Sequence, residues 1–185
     1  MFQIRRAGAP VSPRSIKNIR AVAQSFREKF TKALSDFRVF CPITSILDLL
    51  GTGEFEEYSF MVVDGSDPSM QGKWAFTDPE RKSICISQEI YDKACENDPQ
   101  ARFTIAHELG HIFLDHKRDA VFARNNVNAE IPAYRDSEWQ ADTFAAELLM
   151  PAELARGKRA KEMEALFGVS ASAAQAREDR LRKEI

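Results

Sequence analysis

The sequence is short of the features that announce most functions. No apolar run approaches the about 18 to 20 residues needed to cross a bilayer, and the opening "MFQIRRAGAPVSPRS" lacks the apolar stretch of a secretory signal, so a cytoplasmic protein is expected. Cysteine is scarce and odd in number. Cys41, Cys85 and Cys95 form no C-x-x-C pair, which argues against a disulfide framework or a cysteine zinc knot and leaves all three expected as small buried hydrophobes. Charge of one sign is also missing: 26 Lys and Arg against 28 Asp and Glu give a net charge of -2, which excludes a nucleic-acid or membrane surface covering the whole molecule. Eight glycines and eight prolines in 185 residues, with no repeat or low-complexity segment, place the chain among ordinary globular proteins of one domain. Histidine is as scarce as cysteine, and all three histidines lie between positions 107 and 116.

Apolar periodicity organises the rest. Ser12-Pro13 reads as a helix start, followed by Ile16, Ile19, Ala23, Phe26, Phe30 and Ala33 at helical spacing. Pro42 and Gly51 bracket a shorter helix. "YSFMVV" (58–63) reads as a buried strand, and "WAF" (74–76) and "SICIS" (83–87) as short strands around the turn "TDPERK". A helix over about 88–96 ends at Asn97-Asp98-Pro99, a polar irregular stretch fills 116–136, and a second strong helix runs from Glu138 to Met150. The expected division is an N-terminal helical segment (1–40), a core (41–155) and a C-terminal helical hairpin (156–185) resembling part of a helix-turn-helix unit.

"RFTIAHELGHIFLDH" (102–116) is apolar nearly all round, so its helix should be central and buried. His107 and His111 are four residues apart, which stacks both imidazoles on one face where two neutral nitrogens can reach one Zn²⁺. Glu108, on the adjoining flank, is placed to act as a base toward a water beside the metal. Gly110 costs a helix interior about 1 kcal/mol relative to alanine, which suggests that another backbone or a substrate passes close by.

A catalytic zinc site takes three protein ligands and keeps one position open. His116 is one candidate for the third, although it falls where the helix ends and suits a helix-end or substrate-facing role better. Glu138 is the stronger candidate. Ser137 and Gln140 match a capping box starting a helix at Glu138, and Glu138 is three residues before Ala141 on the stripe Ala141, Phe144, Ala145, Leu148 and Leu149. A carboxylate on a buried face needs a cation or a metal. Asp142, one turn later, could accept the second ring N–H of a ligand histidine or simply favour the first helical turn. Glu147 falls on the far face and is expected in solvent.

With these residues in place the sequence resembles the ImmA/IrrE family of prokaryotic zinc metallopeptidases, through "RFTIAHELGH" followed by "EWQADTFAAELLMP" and, less specifically, "FTDPERKSICIS". The resemblance covers about residues 40–170. It implies a compact zincin-like α+β domain with a small mixed or antiparallel sheet packed on the buried H-E-x-x-H helix. It further implies one catalytic Zn²⁺ on His107, His111 and Glu138, Glu108 as the base, and cleavage of a partner repressor with a helix-turn-helix fold.

The reaction expected is peptide hydrolysis, with Glu108 taking a proton from the attacking water and passing it to the leaving amine. Tyr134, Arg135 and His116 are candidate oxyanion or substrate contacts, and "SICIS", with Ile84 and Ile86 on one face, a candidate edge for an added substrate strand. The rival reading is a zinc-containing binding module that restrains a repressor, or a toxin or antitoxin, without cutting it. From Arg156 to Ile185 eight Lys and Arg face five Asp and Glu, a surplus too mild for direct DNA binding.

Overall fold

A computed structural model of the chain describes residues 8–34, 39–117 and 130–184. Most of the polar stretch expected at 116–136 lies outside the described residues. Within them the order is α1 (Ile16–Ala33), α2 (Ile43–Leu49), β1 (Ser59–Val63), β2 (Ala75–Asp78), β3 (Ser83–Ser87), α3 (Gln88–Cys95), α4 (Pro99–Phe113), α5 (Ser137–Leu149), α6 (Ala152–Ala155), α7 (Ala160–Phe167) and α8 (Ala171–Arg182). This is the expected compact α+β domain. Among the described residues, eight α-helices surround one small three-stranded mixed sheet, and no helix is long and apolar enough to cross a membrane.

The sheet order is β1-β3-β2, with β1 parallel and β2 antiparallel to β3. Two sequence expectations change here. "SICIS" is the central strand, with Ile84 and Ile86 fully buried, so neither offers an edge or a contact to a substrate. Three consecutive apolar residues, rather than strict alternation, are the mark of a strand covered on both faces. Conversely β1 is an edge strand with Met61 exposed, not a buried one.

Helix α4 starts at an Asp98 cap, whose carboxylate accepts from the Gln100 and Ala101 amides, with Pro99 at the first helical position. It crosses α5 at close range. A β-carbon built on Gly110 would lie 3.0 Å from the Ala141 Cα and 3.2 Å from its carbonyl oxygen, so glycine is what lets the two backbones meet, as its position in the helix suggested. Phe26, Phe30, Phe55, Phe113 and Phe144 then build an aromatic cluster joining α1, α4 and α5, with ring centroids 4.2 to 6.4 Å apart.

Helix α1 begins at a Ser15 cap rather than at Ser12. The preceding residues are held extended: Val11 N–H donates to the Arg135 carbonyl (2.8 Å) and Arg14 N–H to the Tyr134 carbonyl (2.9 Å). Residues 8–14 thus form a strap along the start of α5, continued by Ala9 N–H to the Ser137 hydroxyl (3.0 Å) and Ser137 N–H to the Ala9 carbonyl (3.1 Å). That engagement is why Ser137 does not cap α5. Asp136 does, accepting from the Glu138 and Trp139 amides at 2.8 and 3.1 Å.

The C-terminal helices pack on this core through buried polar groups. Glu147 is 2% exposed, not solvated as its position in the helix suggested. It receives a bidentate pair from Arg177 of α8 (2.9 and 2.6 Å) and a further bond from Arg20 of α1 (3.0 Å). Arg102 of α4 is fully buried, stacks on Phe40, and donates to the carbonyls of Cys41, Phe167 and Gly168. Cys41 and Cys85 are buried as expected, but Cys95, in the last turn of α3, is exposed.

Candidate metal centre

Helix α4 presents His107 and His111 on one face, and α5 lays Glu138 across them. His107 Nε2 and His111 Nε2 stand 3.0 Å apart, His107 Nε2 lies 3.3 Å from Glu138 Oε2, and His111 Nε2 lies 3.5 Å from Glu138 Oε1. Four ligands bound tetrahedrally at about 2.0 to 2.1 Å are separated from each other by about 3.3 Å. The two imidazole nitrogens and the Glu138 carboxylate therefore stand at separations close to those of ligands in such a tetrahedron, and two imidazoles with one carboxylate are a donor set that zinc accepts. The residues fit the metal.

Each histidine is held from behind. His107 Nδ1 meets Asp142 Oδ1 at 2.9 Å, the partner expected of a carboxylate one turn after Glu138. His111 Nδ1 meets His116 Nδ1 at 2.8 Å, and His116 Nε2 meets Gln140 Oε1 at 3.1 Å. His116 is thus buried beside His111. It arrives there because α4 ends in a tight turn: Asp115 adopts a left-handed φ of 50°, its N–H meets the Ile112 carbonyl (2.9 Å), and His116 N–H returns to the His111 carbonyl (3.1 Å).

Glu108 lies on the adjoining flank of α4, where the Thr77 hydroxyl of β2 donates to its carboxylate at 2.6 Å. Burial raises its pKa, and this outweighs the opposing pull of Thr77 and His107. A carboxyl raised in this way holds a proton more readily than a free one, which suits it to taking and returning a proton. Burial disfavours the charged form of His107, yet the hydrogen bonds to Asp142 and Glu138 and the charge of Glu108 raise it to about 10. His111 is driven the opposite way, first by burial and then by its cationic neighbour, and burial brings His116 down to about 4.

Of the residues singled out from sequence, the fold brings together His107, Glu108, His111, Glu138, Asp142 and His116. Tyr134 is 52% exposed and joins this region through its carbonyl, while the Arg135 guanidinium reaches the Val11 carbonyl at 3.4 Å. Thr77 and Gln140 were missed as site residues. Gln140 carried a usable signal, since it precedes Phe144 by one turn on the buried face and a buried amide needs partners.

A small α+β domain in which an H-E-x-x-H helix and the helix that crosses it bring together two histidines and one carboxylate defines a metallopeptidase-like class. The chain belongs to the family described as Peptidase_M78, the IrrE N-terminal-like domain, which matches residues 56–178. No curated protein matches it. Among solved structures it is similar to a Mycobacterium tuberculosis transcriptional regulator, at 16% identity and a TM-score of 0.53, with 86% of this chain and 46% of that chain covered. That likeness is one of fold, and the chain spans less than half the length of the regulator.

Proposed function

We propose that the protein is a zinc-dependent metalloendopeptidase of the cytoplasm that hydrolyses peptide bonds in one specific partner, a helix-turn-helix transcriptional repressor. The observation that carries this reading is the triangle of His107 Nε2, His111 Nε2 and the Glu138 carboxylate, with donor separations of 3.0 to 3.5 Å. Zinc held there would supply Lewis-acid polarisation of a carbonyl and of a water. The chain's own residues do the rest. Glu108 takes the proton of the attacking water on its carboxylate, steadied by Thr77, and delivers it to the departing amine nitrogen. The half-exposed Glu138 and Asp142 side chains mark the side from which a peptide enters. An extended peptide would add to β2, the sheet edge that meets Glu108, rather than to β3.

A second reading, a zinc-containing module that regulates a repressor without cutting it, draws support from the fold neighbour's description as a transcriptional regulator. One paired experiment separates the two. The zinc-loaded protein is incubated with the repressor encoded beside it, and Glu108→Gln serves as control. Peptidase action predicts a discrete cleavage that falls by about 10² to 10⁴-fold in the variant, while zinc content stays unchanged. Intact repressor with both proteins favours the regulatory module.

A further inference from the structure

Two of the side chains around the cluster are absorbed by neither the proposed ligand set nor the proton transfer: His116 and Gln140. Their hydrogen bonds have only one consistent direction. The Gln140 amide nitrogen lies 2.9 Å from the Ser12 carbonyl and 2.8 Å from the Tyr134 carbonyl, and since carbonyls only accept, this end of the amide is NH₂. Gln140 Oε1 is therefore an acceptor, and His116 Nε2, 3.1 Å away, must carry its proton. Among the described residues no carboxylate is bonded to the buried His116, and an unpaired buried imidazolium would be costly, so the ring is neutral and its Nδ1 holds a lone pair. His111 Nδ1, 2.8 Å from that lone pair, is then the donor. A neutral imidazole has one N–H, so His111 Nε2 is left with its lone pair directed at His107 and Glu138.

We infer that His116 and Gln140 are positioning residues, forming a relay from the Ser12 and Tyr134 carbonyls that fixes His111 in its Nδ1–H tautomer and so presents His111 Nε2 to a metal ion. The inference rests on the metal-centre reading above and assigns His116 a place behind a ligand rather than among the ligands. The relay opposes the intrinsic preference of histidine side chains for the Nε2–H form, so it has a definite task. It is also built from two directions. The left-handed turn at Asp115 folds His116 back over His111, while the strap before α1 supplies the Ser12 carbonyl that orients Gln140.

The test uses the full chain. In the metal-free protein, long-range proton–nitrogen spectra of the imidazoles should show His111 protonated on Nδ1 and His116 on Nε2. Finding the proton of His111 on Nε2 overturns the relay. Competition with a chelator then gives the zinc dissociation constant. Gln140→Met, which keeps the volume and removes both polar ends, and His116→Phe, which keeps a ring, should each bind zinc about 10 to 100-fold more weakly. His116→Asn, with an amide able to accept from His111 and donate to Gln140, should recover part of that loss, which a merely space-filling role would not predict. Unchanged affinity in Gln140→Met overturns the proposal even if His116→Phe does not fold. A wild-type protein that holds no zinc removes the metal-centre reading and the relay together. One that holds zinc with the stated tautomers but cuts nothing removes only the peptidase reading.

Discussion

The two histidines of the cluster are supported in opposite ways. His107 leans on Asp142, a carboxylate whose side chain is 50% exposed, whereas His111 leans on a neutral, buried chain of His116 and Gln140. One flank is thus electrostatic and open to solvent, the other geometric and shielded from it. The difference teaches that the same requirement, a fixed imidazole, is met by charge where water is available and by a directed hydrogen-bond chain where an unpaired charge would be costly. A third arrangement sits further along α5, where Glu147 is buried as an ion but matched by Arg177 and Arg20.

The sharpest way to break the comparison is to remove the proposed ligand on the shielded flank: His111→Ala should abolish metal retention, seen as loss of zinc after gel filtration, with the fold preserved in circular dichroism. Next in size, Arg177→Met leaves Glu147 with Arg20 alone and should cost about 3 kcal/mol by chemical denaturation, the lower end of what stranding a buried charge costs. Burial pushes the Glu147 carboxyl up, but the hydrogen bonds from Arg177 and Arg20 hold it below its ordinary value of 4.5. Its stabilisation is therefore complete above that pH and is lost as pH falls through the lower folded-state value, a loss that Arg177→Met should reduce. Asp142→Ala should weaken zinc binding by about 10-fold, the low end for such supporting groups. This effect should shrink with added salt because the site is exposed, whereas the effect of Gln140→Met should not. On stability alone, Gly110→Ala, whose β-carbon meets the α5 backbone, should destabilise by about 1 to 3 kcal/mol, less whatever helix propensity returns.

What the sequence made legible follows the distance over which each signal acts. His107, Glu108 and His111 are encoded by spacing within one helix, and Glu138 by a carboxylate on an apolar stripe. Glu147 was misplaced because its partner Arg177 lies 30 residues further on, in a helix whose docking no local pattern specifies. Gln140 was taken for half of a capping box, since nothing local says that the strap occupies Ser137 and leaves Asp136 to cap. His116 was recognised as lying at a helix end, but the turn that folds it inward uses Asp115 where glycine is the usual signal. The expected edge strand failed for a related reason, because strand order depends on β1 reaching across to pair with β3.

The family match begins at residue 56, yet the strap and α1 lie before it. A fragment trimmed to the matched segment would bare Phe113 and Phe144, whose rings pack on Phe26, and would strip Gln140 of its Ser12 anchor. Such a fragment would present a sticky aromatic face and a slack histidine cluster. The smallest useful unit for expression therefore starts at the strap, some fifty residues upstream of where sequence comparison alone would cut.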